Sequence, residues 1–282
     1  MSTLIKQVAS PAVLNEAWNL VKRDKSRWTP DLTMDDMARD LPLHIGRIAE
    51  ELTSGRYLPQ PMRCFQIPKA DGSQRLICAP AVRDKLVQRA VLIILEPLGE
   101  AVFHPASFGY RPLCTVDMAV AKVREWIRQG YRWLGDADIA QCFDSIPHLP
   151  VLEQLAGLCQ DDDIVQLCSD WLNSMPERFR PKGPGLGLPQ GLVLSPFLCN
   201  LHLHEMDMDL EEHNIPFVRY ADDFIVFGHT EAQAQHALLH AQNSLERLQL
   251  QLHPEKTQIV ETSQAVRFLG KRLPNAPQRI AG

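Results

Sequence analysis

Two adjacent carboxylates held between apolar runs, Phe217-Val-Arg-Tyr-Ala-Asp-Asp-Phe-Ile-Val-Phe227, constrain this chain more than any other stretch. Runs of β-branched and aromatic residues read as strands, and a short Asp-bearing link between them reads as a hairpin turn. Such a hairpin carries Asp222 and Asp223 at its tip. The bland alternative is a solvated turn, because Asp is an ordinary turn residue. A second stretch, Trp133-Leu-Gly-Asp-Ala-Asp-Ile-Ala-Gln-Cys-Phe-Asp-Ser-Ile146, shifts the balance. There Asp138 ends another strand-like run, with Ile139 next and Phe143 five positions after the Asp. Two neighbouring strands that each end in an Asp make a site for a pair of divalent cations. Such a pair suits in-line phosphoryl transfer, one ion activating the attacking oxygen and the other stabilising the leaving oxygen.

The Tyr-Ala-Asp-Asp box and the segment 138–146 resemble the two catalytic motifs of reverse transcriptases. Within that family they look most like the bacterial branch of group II intron and CRISPR-associated enzymes. The resemblance runs, with gaps, over residues 18–273, and its motifs fall in the family's order. It implies that Asp138 and Asp222 bridge two Mg²⁺ ions (Mn²⁺ being a substitute), with the Ile139 carbonyl completing one shell and Asp223 supporting. Phe143 would lie under the sugar of a deoxynucleotide, where a 2′-hydroxyl clashes. Leu188-Pro-Gln-Gly-Leu-Val-Leu-Ser-Pro196 resembles a third motif, which implies that Gln190 and Gly191 meet the incoming nucleotide and the template base. Residues 67–89, with Pro80, Asp84 and Gln88, resemble the fingers segment, so Lys69 and Arg75 would grip the triphosphate. Ser107-Phe-Gly-Tyr-Arg-Pro112 resembles the template-contacting segment, with Arg111 as its cation. Lys256 matches the lysine proposed to protonate departing pyrophosphate, and Phe268-Leu-Gly270 the strand that grips the primer. Each also has a plainer reading: an exposed hairpin for Lys69 and Arg75, a structural arginine, core packing for Phe143, an exposed lysine.

The implied fold is α+β, a right-hand polymerase with an RRM-like antiparallel palm sheet and fingers built on a hairpin. Residues 1–60 are expected as an N-terminal helical segment, 61–130 as mainly fingers, 131–273 as mainly palm and 274–282 as a short tail. Few residues follow the primer-grip segment, so a thumb is expected to be missing. The implied substrates are an RNA template, a DNA or RNA primer and deoxynucleoside triphosphates. A CRISPR spacer-integration complex is the implied partner, and a group II intron-derived or other defence role is the alternative. One departure is Lys25-Ser-Arg-Trp-Thr-Pro-Asp31, which lacks the glycine-rich pattern that many relatives carry there. Two rival classes are another palm-type nucleotidyltransferase, such as a primase or cyclase, and a catalytically silent RNA-binding scaffold. Gln190-Gly191 and the Phe268-Leu-Gly270 segment weigh against the first. Retention of every metal-binding carboxylate weighs against the second.

A chain of 282 residues can bury one large core or two closely packed subdomains. Its net charge of −5 lends nucleic-acid binding no support. Local basic faces are still available from Lys69, Arg75, Arg83, Lys85, Arg89 and Arg111, and from Arg178, Arg180 and Lys182. The richest apolar run, residues 90–95, is far too short for a membrane span, and no secretory signal pattern opens the chain. Seven cysteines without a Cys-x-x-Cys pair favour reduced thiols and a cytoplasmic setting.

Helices are expected after Ser10-Pro11 and over 34–54, the second capped by Thr33 and interrupted at Pro42. Strands are expected at 63–67 and 75–78, around the Asp71-Gly72 turn. A helix from 83 should stop at Pro97. Further helices are expected at 115–129, 148–158, 161–173, 197–212 and 231–248. The triple Asp161-Asp162-Asp163 opens a helix, where carboxylates favour the positive end of the dipole, and reads as structural. The Gly/Pro-rich stretch 176–191 lacks the Gly-Lys-Ser/Thr ending of a nucleotide loop. His202 and His204 point in different directions on a helix. His236 and His240 share a face but have no third ligand nearby in sequence, so an exposed helix face explains them better than zinc.

Overall fold

Capping residues set the first helices. The computed structural model describes residues 3–68, 72, 74–180, 182–264 and 266–273. Helix α1 (Thr3–Val8) leads to α2 (Pro11–Val21), where Ser10 accepts the Val13 N–H. Thr33 and Asp36 form a reciprocal capping box at the start of α3 (Met34–Arg39). Asp40 leaves helical geometry, and α4 (Leu41–Thr53) begins with Pro42 in its first turn, where a missing N–H is harmless. Strands β1 (Arg63–Pro68) and β2 (Gln74–Ala79) pair antiparallel from Arg63↔Ala79 to Pro68↔Gln74.

Helix α5 (Val82–Val102) does not stop at Pro97 as the sequence suggests. Val91, Leu92, Leu95 and Gly99 are all buried along it, so its packed face continues past the proline. Burial of that face offsets the one backbone bond a proline removes.

The chain divides into two compact units interleaved along the sequence. The first takes residues up to Ala101 together with Phe143–Leu198. It holds the elements above, α8 (His148–Cys159), α9 (Asp162–Asn173) and a short 3₁₀ turn, Glu177–Phe179. Asp161 caps α9 through the Ile164 N–H, and its other oxygen accepts the Leu4 N–H at 2.9 Å. The structural reading of that acidic triple is correct for Asp161. A single turn, α7 (Cys142–Ser145), and the long α10 (Ser195–Glu212) run from one unit into the other.

The second unit takes Val102–Cys142 and the chain from Cys199 onward. It contains α6 (Val116–Arg128), β3 (Trp133–Asp138), β4 (Phe217–Tyr220), β5 (Asp223–Gly228), α11 (Glu231–Arg247) and β6 (Gln258–Glu261). A small hairpin follows, β7 (Arg267–Phe268) with β8 (Lys271–Arg272). The main sheet has the order β4-β5-β3-β6 with every pair antiparallel, the strand order of an RRM-like sheet. Side chains alternate across it. Leu134, Val218, Ile225 and Phe227 cluster on one face with Ala119, Val120, Val123 and Ile127 of α6. On the other face a side chain at Gly135 would meet Leu238 of α11 and Val226, so glycine allows that helix to lie close. Among the described residues no helix is long and apolar enough to cross a membrane.

Candidate active site

Strand parity brings the acids together. Asp138, the last residue of β3, stands directly opposite Asp223, the first residue of β5. Asp222 occupies the two-residue turn that joins β4 to β5. Asp136 shares the face of Asp138, two residues away from the tip. That face grades from apolar, with Leu134 opposite Phe227, to acidic at the sheet end. Beyond β3, the Ala140 N–H donates to the Gln251 carbonyl at 2.8 Å and the His253 N–H to the Asp138 carbonyl at 2.7 Å. Ile139, buried, thereby pairs with Leu252. This donor set is all oxygen, which fits hard divalent cations.

The electrostatics agree. Desolvation, then the charges of Asp222, Asp138 and Asp136, push the Asp223 carboxyl up to about 6 against the pull of Lys256. Desolvation raises Asp136 as well, although the Gln258 amide donates to it at 3.3 Å. Lys256 donates from Nζ to Asp138 Oδ2 at 2.8 Å, and that bond raises its pKa. Burial and the charge of Asp222 push the Tyr110 phenol up to about 12.

A stability prediction follows from Asp223. Its folded-state pKa lies above the ordinary carboxylate value, so its favourable contribution is full below that value and is lost as pH rises through about 6. Without divalent cations, the protein should lose stability between about pH 4 and pH 6. Asp223→Asn removes one of the crowded charges and should raise the melting temperature near neutrality by roughly 2–4 °C. Thermal denaturation in EDTA measures this, and a variant that melts earlier than wild type would contradict charge crowding.

The turn between β4 and β5 is braced from behind. Ala221 has φ +60°, a left-handed conformation unusual for a residue with a Cβ. The Arg219 guanidinium, fully buried, donates to the Ala221 carbonyl at 3.0 Å, to Asn200 Oδ1 at 2.9 Å and to both oxygens of Asp207 at 2.7 and 2.5 Å. Asn200 in turn donates to the Gly109 carbonyl at 2.7 Å. A Cβ on Gly109 would fall 2.2 Å from the Ala221 nitrogen, so only glycine fits against the turn. Residues 106–108 flank β4, with Arg219 N–H donating to Ala106 and Phe108 N–H to Arg219, both at 2.9 Å.

A family model, "Reverse transcriptase (RNA-dependent DNA polymerase)", matches residues 67–273. The chain belongs to the reverse transcriptase family. Protein YkfC of Escherichia coli K12 is 28% identical, over 96% of this chain and 82% of that protein. The group II intron-encoded protein LtrA of Lactococcus lactis subsp. cremoris is 32% identical over 83% of this chain, but the match spans only 38% of LtrA. Among solved structures, a chain of a partial Cas6-RT-Cas1–Cas2 complex is 27% identical with a TM-score of 0.50, covering 88% of this chain and 42% of that one. Telomerase from Candida albicans, 16% identical with a TM-score of 0.55 over 78% of this chain and 46% of that one, shares the fold. The palm-and-fingers architecture of an RNA-directed DNA polymerase is therefore the fold of this chain.

The remaining residues expected in a reverse transcriptase site fall as follows. Arg75 is exposed on β2, opposite Ile67, and Lys69 lies outside the described residues. Arg111 donates to the carbonyls of His104 and Ser107 at 2.8 and 2.6 Å, bracing its own loop. Phe143 is half-buried in α7, and its carbonyl accepts the Leu188 N–H at 2.6 Å. The Gln190 carbonyl accepts the Cys78 N–H of β2 at 2.8 Å. Gly191 has φ +123°, and a Cβ there would lie 2.5 Å from the Cys78 carbonyl. The close approach to β2 thus gives Gly191 a packing reason as well. Of the basic loop, Arg180 donates to carbonyls of Leu172, Asn173 and Met175, and Lys182 to Ser145.

Phe268 lies in the short hairpin of β7 and β8. It ends a two-residue strand, packs into the core of the second unit, and turns through Leu269 and Gly270 at φ +50° and +75°. Two features escaped the sequence reading. Asp136 was available from period-two parity with Asp138. The Asp207–Arg219–Asn200 brace was not, because buried charges spell the same as surface ones.

Proposed function

We propose that the chain extends a primer 3′-hydroxyl with deoxynucleotides on an RNA template, using Asp138, Asp222 and Asp223 to hold two Mg²⁺ ions. The pairing of Asp138 with Asp223 beside the Asp222 turn carries this reading. When bound, the ions supply activation of the attacking oxygen and neutralisation of charge on the transferring phosphoryl, with Mn²⁺ as a substitute. The Ile139 carbonyl is assigned as a further ligand. Lys256, held protonated beside Asp138, is assigned to give its Nζ proton to the departing pyrophosphate. Lys69 and Arg75 hold the triphosphate, Gln190 and Gly191 position the nucleotide against the template base, and Arg111 shapes the template loop. The exposed Gly270 tip, with Leu269 and Phe268 behind it, meets the primer.

Phe143 is assigned to exclude the 2′-hydroxyl. Phe143→Ala should raise incorporation of ribonucleotides relative to deoxynucleotides by at least ~10-fold, the lower end of what one well-packed group contributes to discrimination. Extension with each triphosphate set, wild type against variant, measures it; unchanged discrimination returns Phe143 to a packing role.

The partner assigned is a spacer-integration complex in a cytoplasmic setting. Support comes from the likeness to a chain of a Cas6-RT-Cas1–Cas2 complex, and from seven free cysteines. The identity to LtrA supports a second reading, a group II intron-derived polymerase. Co-purification with the products of neighbouring genes separates the two: an integrase partner supports the first, and intron RNA without an integrase overturns it.

A further inference from the structure

Away from the catalytic carboxylates, two imidazoles and one carboxylate converge where α10 ends beside α11. Asp209 lies in the last turn of α10, and His213 follows just past its end. His240 comes from α11. Each offers one ligand atom, and the three atoms lie within 4.8 Å of one another. His240 Nε2 is 2.9 Å from Asp209 Oδ2, and the His213 and His240 rings are 4.1 Å apart between centroids. We propose that Asp209, His213 and His240 form a second metal site, for a borderline transition cation of the Zn²⁺ class.

Four observations converge on this site. The donor set, two nitrogens and one carboxylate, suits Zn²⁺ far better than Mg²⁺, and three protein ligands leave a fourth position for water. His213 Nδ1 lies 2.8 Å from the Asp209 main-chain carbonyl, and a carbonyl only accepts. Nδ1, which is also 3.7 Å from Asp209 Oδ1, therefore carries the proton in the metal-free chain and leaves the lone pair on Nε2, the arrangement that orients ligating histidines elsewhere. The negative end of an 18-residue helix points here, favouring a cation. Finally, the carboxylate already holds one: Arg247 Nη2 donates to Asp209 Oδ2 at 2.7 Å from a largely exposed side chain. On binding, the His240 proton moves from Nε2 to Nδ1, so no net proton is released by that ring. The ion would clip α10, which precedes the catalytic hairpin in the chain, to α11, which follows it. His236, the helical neighbour of His240, takes no part, since the partners come from α10.

Zinc alone is the probe, titrated into the full chain by equilibrium dialysis with millimolar Mg²⁺ present to occupy the catalytic carboxylates. Wild type should bind one Zn²⁺ per chain and melt later with it. The double variant His213→Ala/His240→Ala should bind at least ~10-fold more weakly and lose the zinc-dependent shift. Its melting temperature without zinc should stay near wild type, since both rings are at least partly exposed. Arg247→Ala, which removes the competing cation, should bind zinc more tightly. Absence of stoichiometric zinc binding by wild type, or equal binding by wild type and the double variant, overturns the site.

Discussion

Asp138→Asn and Asp222→Asn should each lose at least ~10²-fold in primer extension, because electrostatic stabilisation of the transferring phosphoryl supplies most of the catalysis in this reaction class. Each substitution keeps side-chain shape and removes one carboxylate charge. Neither should unfold the chain. Asp138 ends a strand paired on both sides, and Asp222 sits in a turn braced by Arg219. Folding is checked by circular dichroism and activity by single-turnover extension. Near-normal extension by either variant would move the metal site away from the sheet end. Lys256 adds a control: losing its partner at Asp138 should lower the lysine pKa, so residual activity in Asp138→Asn should fall at a lower pH than in wild type.

The second large effect is at the brace. Asp207→Ala leaves the Arg219 guanidinium buried without its carboxylate, which costs ~3–5 kcal/mol. That is a large part of the ~5–15 kcal/mol that a domain has in total. The melting temperature should fall sharply and soluble yield with it. Stability loss alone says nothing about catalysis, so an isosteric replacement separates the two. Asp207→Leu with Arg219→Met fills the same space without charge, and such exchanges of buried pairs are often neutral or stabilising. Its melting temperature should recover, while extension stays low, because Ala221 and Asn200 have lost the donor that fixes the turn. Recovery of both would make Arg219 a matter of packing alone.

How far the sequence could be read depended on how local each signal was. The hairpin carrying Asp222 and Asp223 is announced by β-branched runs around a two-residue link, and the capped starts of α2, α3 and α9 are equally local. Pairing of β3 between β5 and β6 is not local; the family resemblance implied an antiparallel palm sheet but not the place of β6 in it. Pro97 misled because proline is a strong local breaker, whereas burial around Leu95 and Gly99 is a tertiary fact. Gly109 looked like an ordinary loop glycine and Gly191 like a nucleotide contact, and only the backbone facing each one explains why a Cβ is excluded. Asp207 and Arg219 are twelve residues apart, and Asp209 and His240 thirty-one. No spacing rule joins such pairs.

Extension of a DNA primer annealed to an RNA template, by the purified chain with deoxynucleotides and with or without Mg²⁺, bears most directly on the central claim. The geometry predicts RNA-templated product that disappears in EDTA, returns with Mg²⁺ or Mn²⁺, and is missing from Asp222→Asn. Product that forms equally without divalent cations, or a folded wild-type chain that makes none with them, would contradict it.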